Sequence, residues 1–453
     1  MRRRRTIRSA VEFVTFTAFT ALGALGVAAP AAAAQQDAAA GLRQGAIGAV
    51  REIARSDPSF SADERRAAEA GLADLREHAA TLTDAAFELA LARIVALARN
   101  GHTQVLPASW QARFPRLGVR FFVAGDGLRV MDAAPEWDRL VGARVAAIEG
   151  HDLEALRDAW SRYAPGRVGF RDESLPAFLE APAMLHAASL AARSDAVTLT
   201  LDGGERVEVG TYDGWPTPDG VWALLPAARH VELALSGGVD GEPLYLREPE
   251  AFFRFVPLPD RDAVYIQFRG NVDFSGATDM AAEASHALER LRALAPRYVI
   301  VDQRFNIGGD LNTTRDLMEG IPEIVGEDGA VFAITSGRTF SAGIASLGYL
   351  VQAAEGDVTI VGEPVGDELE FWAEGGPAEL PTGTPVLAAS ERHNYRTGCP
   401  EDDCHGSIRN HPIRVDSLEP DVTPSFTWED VVRGRDPYLE AVFARMAPAN
   451  AKD

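Results

Sequence analysis

The sequence predicts a mixed α/β protein in which a helical N-terminal region and a β-rich middle region precede an α/β domain, and three changes in pattern predict this. Residues 37–100 repeat apolar side chains at helical spacing. From Arg116 apolar and polar residues alternate, as in strands. From Asp262 strand-like and helical segments alternate, which is typical of a largely parallel sheet. A chain of 453 residues is long enough for about two to four such domains.

Residues 1–34 have the layout of a secretory signal peptide. A basic run at Arg2–Arg5 precedes an apolar run from Phe13 to Val27, and Ala32–Ala34 follow as a small-residue cleavage signature. An uncleaved membrane anchor is the alternative, but the apolar run is short for a spanning helix. We therefore expect a secreted or periplasmic protein with no stable membrane insertion after cleavage.

The region between the signal and the α/β domain divides by composition. Residues 35–110 are expected to form a small helical domain, residues 111–195 a β-rich domain, and residues 196–261 a β-rich connecting segment. Within the β-rich domain, Leu140–His151 resembles the closing strand of a PDZ domain. A PDZ-like module, which would bind a peptide as an added strand, and a generic β-rich domain are both compatible with this pattern.

The α/β domain is expected over residues 262–445, and it contains two strand-to-helix junctions. The first holds Asn306-Ile-Gly308-Gly309 and the second holds Thr339-Phe340-Ser341-Ala342. Ligands of open α/β sheets bind beyond the carboxyl ends of the strands. A serine at a helix start exposes its hydroxyl beside free N–H groups, and a glycine pair lets a second backbone approach closely. Each part alone is usually a plain turn or a helix N-cap, but together they suit a nucleophile with an oxyanion hole.

Four motifs, in order, resemble those of the S41 (tail-specific, or C-terminal processing) serine proteases. They are Asp302-Gln-Arg304-Phe-Asn306-Ile-Gly308-Gly309, Thr339-Phe340-Ser341-Ala342, Gly362-Glu363-Pro-Val-Gly366 and Pro420-Asp421. The resemblance covers roughly residues 262–440 and implies a ClpP/crotonase-like catalytic domain. It further implies Ser341 as nucleophile and an oxyanion hole from the N–H groups of Ala342 and of Gly308 or Gly309. Asp302 and Arg304 are expected to brace the end of the sheet.

The general base departs from the commoner S41 pattern. Where many members have a lysine after the Gly-Glu loop this chain has Asp367, and its one lysine is Lys452 near the C-terminus. Asn100-Gly101-His102-Thr103 resembles the Asp-Gly-His-Thr motif of the tricorn-core-like branch, which implies His102 as the base. The alternative is that His102 caps the preceding helix or fills a pocket in which its hydrogen bonds are satisfied. Asp367 is the expected acidic partner, and the rival carboxylates are Glu363, Asp416 and Glu419.

The charge and the residue composition indicate which partners, bonds and ligands to expect. A formal net charge of −22 argues against nucleic acid or anionic lipid as a partner, but it says little about the substrate. The S41 resemblance implies a peptide or protein substrate. Cys399 and Cys404 are expected to form a short local disulfide, as in exported proteins, rather than a zinc site with His405 and His411. We expect no cofactor and no metal. The histidines without a supporting motif are expected to be surface or packing residues: His78, His151, His186, His230, His286 and His393.

The sequence therefore predicts an exported serine peptidase that forms an acyl-enzyme on Ser341. One alternative is a non-catalytic peptide-binding protein on the same fold, because loss of the lysine is also what loss of activity would produce. The other is a crotonase-like acyl-CoA enzyme, which shares the sheet and the glycine-based oxyanion hole. The export signal and the lack of a lysine-bearing CoA site disfavour the second alternative.

Overall fold

The computed structural model describes residues 28–216, 229–240, 243–249, 251–273 and 279–446. The basic and apolar runs of the predicted signal peptide and Lys452 lie outside these residues. The helices are α1 (Ala28–Ser56), α2 (Ala62–His78), α3 (Asp84–Val95), α4 (Trp110–Arg113), α5 (Leu153–Trp160), α6 (Val168–Leu179), α7 (Pro182–Ala187), α8 (Arg229–Leu235), α9 (Met280–Leu294), α10 (Arg315–Val325), α11 (Ala342–Ala353), α12 (Gly406–Asn410), α13 (Trp428–Val432) and α14 (Pro437–Phe443). The strands are β1 (Gln104–Val105), β2 (Val119–Ala124), β3 (Gly127–Ala133), β4 (Val145–Ile148), β5 (Ala196–Leu201), β6 (Arg206–Gly210), β7 (Phe253–Leu258), β8 (Ala263–Phe268), β9 (Tyr298–Asp302), β10 (Ala330–Thr335), β11 (Val358–Gly362), β12 (Glu370–Glu379) and β13 (Pro385–Asn394).

The N-terminal region is helical, as its pattern predicts, and consists of α1, α2 and α3. Ser61 begins α2 with a capping box, in which its hydroxyl accepts from the Glu64 N–H and the Glu64 carboxylate accepts from the Ser61 N–H. Helix α3 buries most of its residues against the other two helices. The chain then turns at Arg99, whose φ of 53° ends the helical segment just before His102.

The middle region contains two small antiparallel sheets, β2–β3 and β4–β5–β6. Strand β5 pairs with β4 on one side and with β6 on the other. The strands after residue 195 therefore share a sheet with the domain predicted for residues 111–195, because their partner strand lies inside it. Peptide binding by this module stays a prediction.

The C-terminal region contains a five-stranded sheet in the order β11-β10-β9-β8-β7. The pairs from β8 to β11 are parallel and only β7 runs antiparallel, which confirms the α/β prediction. Helices α9, α10 and α11 cover one face of the sheet, and α14 packs on the other face with the β2–β3 hairpin. Because β9 and β10 are parallel neighbours, the junctions that follow Asp302 and Thr335 meet at one edge.

A long hairpin, β12–β13, joins the N-terminal and C-terminal regions. Strand β1 pairs antiparallel with β13, where Gln104 faces Leu387. This pairing fixes the segment that follows α3 against the C-terminal domain, and it brings His102 to the edge where the two junctions meet. Among the described residues, no helix combines the length and the apolar character that crossing a bilayer requires.

Candidate active site

Ser341 occupies a strained turn between β10 and α11. Its φ of 53° and ψ of −123° are unfavourable for a residue with a side chain, and such strain persists only where the surroundings impose it. The residue is partly exposed and immediately precedes the first residue of α11. Among the described residues, the Ala342 N–H has no hydrogen-bond acceptor, so a free donor at a positive helix end lies beside the hydroxyl.

Gly308 lies directly against Ser341. A Cβ atom at Gly308 would come within 2.5 Å of the Ser341 Cβ, and the φ of Gly308 is +100°, so no other residue fits there. The Gly308 N–H donates to Asn306 Oδ1 at 3.0 Å. Of the two glycines, Gly309 is the one whose N–H has no acceptor among the described residues.

Asn306 holds the first junction in shape. Its amide donates to Asn271 Oδ1 at 2.8 Å and to Gln303 Oε1 at 3.0 Å, and its carbonyl accepts from the Phe340 N–H at 2.9 Å. A Cβ at Gly343 would lie 2.9 Å from that same carbonyl oxygen. The asparagine therefore couples the glycine turn to the turn that carries the serine.

Asp302 and Arg304 brace the end of the sheet, as expected. Arg304 is 2% exposed and forms two hydrogen bonds with the Asp436 carboxylate, at 3.0 and 2.9 Å. It also donates to Asp302, whose other oxygen accepts from Tyr265 Oη at 2.6 Å. The Arg304 guanidinium thereby links the end of strand β9 to the start of α14, and these contacts do not involve Ser341.

His102 lies flat between two phenylalanine rings. Its ring centroid is 4.3 Å from that of Phe340 and 5.0 Å from that of Phe371, with interplanar angles of 21° and 6°. Its Nδ1 is 3.6 Å from Asp367 Oδ2. Both ring nitrogens are buried and neither forms a hydrogen bond among the described residues, so the ring is positioned by stacking and by the facing carboxylate.

The loop that carries His102 is fixed on both sides of the ring. A Cβ at Gly101 would come within 2.8 Å of Asp367 Oδ2 and 2.9 Å of Phe340 Cε2, so only glycine allows this approach. The Asn100 side chain donates to the Trp372 carbonyl at 2.9 Å and accepts from the Trp372 N–H at 3.2 Å. Asn100, where the related motif has aspartate, thus pins the loop to β12.

His102 and Ser341 open onto the same cavity, which has a volume of about 290 Å³. Its walls are mainly apolar and include Leu106, Phe170 and Leu387. Arg338 and Glu173, which also line the cavity, form an ion pair of 3.4 Å. Burial lowers the pKa of Arg338 and raises the pKa of Glu173, so both side chains lie in surroundings that disfavour their charged forms.

Solved structures with the same fold were found by structural comparison. Mature CPAF in complex with lactacystin is 12% identical to this chain, with a TM-score of 0.51 over 89% of this chain and 97% of CPAF. S41 peptidases are among the solved structures that this chain resembles. The photosystem II D1 C-terminal processing protease is 12% identical, with a TM-score of 0.37 over 90% of this chain and 98% of that one. The tricorn protease is 12% identical to this chain, with a TM-score of 0.34 over 89% of this chain and 36% of that one.

No family model matches the sequence, and no curated protein matches it. The S41 likeness at 12% identity is therefore one of fold, visible in the chain path and in the order of the elements rather than in overall sequence.

The rival carboxylates lie elsewhere in this S41-like fold. Glu363 accepts from Tyr438 Oη at 3.2 Å, and Glu419 pairs with Arg167 at 2.7 Å. Asp416 lines a separate surface cavity beside α11. Among the described residues, Asp367 is the carboxylate within ion-pair distance of His102.

Cys399 and Cys404 are joined by a disulfide, which closes a short loop after β13. The next residue, His405, belongs to a column of stacked rings that crosses the site. In order, the column is Phe170, Phe340, His102, Phe371, His393 and His405. Burial lowers the pKa of His393, and the hydrogen bond from His393 lowers the pKa of Glu374.

Sequence reasoning missed the residues that position His102. Phe340 is inside the quoted nucleophile motif, but nothing in the motif indicates that its ring contacts a histidine from another domain. Phe371 and Trp372 carry no motif at all. Two-residue alternation in β12 was the one available signal, and it indicates which side chains share a face but not what they face.

Proposed function

We propose that this chain is an exported serine peptidase that hydrolyses peptide bonds through an acyl-enzyme on Ser341, with His102 as general base and Asp367 as its acidic partner. The observation that carries the proposal is the strained Ser341 turn, which opens onto the same apolar cavity as a histidine that faces a buried carboxylate. Nucleophile, base and orienting acid are the parts that serine hydrolases combine on unrelated folds.

In the proposed first step, Ser341 Oγ attacks the carbonyl carbon of a substrate peptide bond while His102 Nε2 takes the hydroxyl proton. The C–N bond then breaks, and His102 passes that proton to the leaving amine. A water molecule attacks the resulting ester, again deprotonated by His102, and the ester C–O bond breaks to release the acid and restore Ser341. Each proton that leaves a nucleophile therefore ends on a leaving group.

Asp367 acts on the other nitrogen of the ring. At 3.6 Å from Nδ1 it favours the tautomer with the proton on Nδ1, which leaves Nε2 free to accept from serine. Its negative charge also stabilises the imidazolium that forms during attack. The missing Ser341–His102 hydrogen bond is compatible with this role, because such bonds often form only when substrate is bound.

The proposed oxyanion hole consists of the N–H groups of Ala342 and Gly309. Both lack an acceptor among the described residues, whereas the Gly308 N–H already donates to Asn306. Ala342 adds the positive end of a 12-residue helix. Gly308 would then serve by its lack of a side chain, which lets the donors and Ser341 approach each other.

The cavity supports a preference for an apolar side chain next to the cleaved bond. Leu106, Phe170 and Leu387 would bury such a side chain at about 25 cal/mol per Å² of apolar surface removed from water. Export is supported by the predicted signal peptide and by the disulfide, because disulfides persist in oxidising compartments.

A fluorophosphonate probe tests the proposal, since it reacts only with an activated serine. We expect labelling of the wild-type chain, none in Ser341→Ala, and strongly reduced labelling in His102→Ala. Ser161→Ala, which removes an exposed hydroxyl bonded only to the Asp158 carbonyl, is the control and should label normally. Lactacystin, with which mature CPAF forms a complex, should compete with the probe.

Three results would contradict the proposal. Full labelling of Ser341→Ala would place the reactive serine elsewhere. Failure of the wild-type protein to label, together with binding of a peptide, would favour the non-catalytic protein on this fold, and selective binding of an acyl-CoA ester would favour the crotonase-like enzyme.

A further inference from the structure

Two histidines and a glutamate meet on the face of the β12–β13 hairpin that carries Phe371. Glu374 lies on β12, His393 lies on β13, and His405 follows the disulfide loop. One ligand atom from each of the three lies within 4.8 Å of the others. His393 Nε2 is 3.1 Å from Glu374 Oε1, and two ligands of a tetrahedral zinc ion are separated by about 3.3 Å when each is about 2.0–2.1 Å from the metal.

We propose that Glu374, His393 and His405 bind a divalent zinc ion, separate from the site around Ser341. Two imidazole nitrogens and one carboxylate oxygen are a ligand set that zinc uses in proteins, with water in the fourth position. Glu374 is 37% exposed and His393 only 3%, so a cation can enter at the carboxylate and reach the buried ring.

The backbone at Glu374 is distorted in the way that this site requires. Phe371 pairs with His393, so their side chains share one face of the hairpin, and strict alternation would send the Glu374 side chain to the opposite face. A β-bulge follows Ala373, and Glu374 has a φ of 68°. This unfavourable conformation turns the carboxylate to the face of His393.

The surroundings of both histidines suit metal binding. A metal on His393 Nε2 requires the proton on Nδ1, and Tyr395 Oη, fully buried and 3.0 Å from Nδ1, can accept it. Such a partner orients a ligating imidazole. His405 has a buried Nδ1 with no hydrogen-bond partner among the described residues, and the disulfide fixes the residue that precedes it. An unpaired buried nitrogen costs stability unless something binds it.

The proposed ion would also stabilise the support of His102. The Phe371 ring has His102 on one face and His393 on the other, with centroid distances of 5.0 Å to each. Zinc would hold β12 to β13 and to the disulfide loop, and so keep Phe371 in place. The role proposed is structural, because Phe371 separates the ion from the cavity that contains Ser341.

Equilibrium dialysis of the metal-stripped full-length protein against Zn²⁺ tests the proposal. We expect one zinc per chain, and an affinity at least about tenfold lower in Glu374→Gln and in His405→Gln, which alter partly exposed side chains. His411→Gln is the matched control, because this exposed histidine lies near His405 in sequence but outside the cluster, and it should bind normally. Zn²⁺ should raise the Tm of the wild type but not of His405→Gln.

The location of the bound metal ion is tested with the His102→Gln variant and with Co²⁺ in place of Zn²⁺. We expect His102→Gln to bind zinc like the wild type, and Co²⁺ to give the visible absorption of a tetrahedral site that His405→Gln weakens. The proposal is overturned if the stripped protein takes up no stoichiometric zinc, or if Glu374→Gln and His405→Gln bind it unchanged. Loss of binding in His102→Gln alone would place the ion at the serine site and would equally overturn it.

Discussion

His102 and Phe340 stack face to face with their ring centroids 4.3 Å apart, although one follows an N-terminal helix and the other immediately precedes Ser341. This contact couples the proposed base to the nucleophile turn through packing rather than through a hydrogen bond. The ring has Phe371 on its other face, so its rotation is restricted to its own plane.

Replacement of Phe340 by Ala should lower kcat/KM by about 10²-fold, because the His102 ring loses one of the two surfaces that hold it at the cavity onto which Ser341 opens. Peptide hydrolysis is the measurement. Phe253→Leu is the control, since that ring also stacks on a phenylalanine, Phe268, but lies on the edge strand away from the site. Equal losses of activity in both variants would rule out a specific role for Phe340.

The carboxylate of Asp367 should matter for catalysis and little for folding. Asp367→Asn keeps the shape but removes the charge that faces Nδ1, and we expect kcat to fall by up to about 10⁴-fold. Glu368→Gln changes the adjacent, exposed carboxylate and should retain activity. If Asp367→Asn is as active as wild type, another group orients the histidine.

Gly308→Ala should abolish activity and destabilise the fold. Its Cβ would lie 2.5 Å from that of Ser341, and a φ of +100° costs a residue with a side chain about 1–3 kcal/mol by itself. Gly48→Ala, in α1 with no atom within 4 Å of the new Cβ, should instead leave the Tm unchanged or raise it. A normal rate and Tm in Gly308→Ala would contradict the close approach of the two junctions.

The buried pair of Arg304 and Asp436 should contribute more to stability than an exposed pair. Asp436→Ala leaves the buried guanidinium with Asp302 as its remaining carboxylate partner, and we expect a loss of up to about 3–5 kcal/mol in the free energy of unfolding. Glu429→Ala, which breaks the exposed pair with Arg433, should cost less than about 1 kcal/mol. Urea denaturation measures both, and similar values would contradict the structure.

Glu232 should make stability depend on pH. Burial alone would raise the pKa of its carboxyl, but Arg229 and Arg120 outweigh burial and lower the pKa. A lowered folded-state pKa gives stability that is complete above the unfolded pKa of about 4.3 and is lost as the pH falls through the folded value. Glu232→Gln should therefore be less stable at neutral pH and should lose less on acidification, as measured by thermal unfolding between neutral and acid pH.

The local sequence pattern was sufficient to predict the secondary-structure elements on both sides of the two junctions and to place Ser341 at the start of a helix. The strand ending at Asp302 and the helix after Ser341 are determined by hydrophobic runs and by turn residues close in sequence, and both were predicted. Which of Gly308 and Gly309 keeps a free N–H was not predictable from the sequence, because it depends on which of the two N–H groups donates to the Asn306 side chain. The three-residue cluster of Glu374, His393 and His405 was also missed, since a β-bulge brings its carboxylate to the histidines.

The sequence by itself determined the α/β domain and the strand-end junctions, because periodicity and turn chemistry are local properties. Its resemblance to the S41 motifs implied Ser341, His102 and Asp367 as candidate site residues. Only the tertiary structure decided that His102 reaches the cavity of Ser341. That result depends on β1 pairing with β13 and on two phenylalanine rings stacking on the imidazole. Contacts of this kind join segments distant in the chain, and no spacing within either segment encodes them.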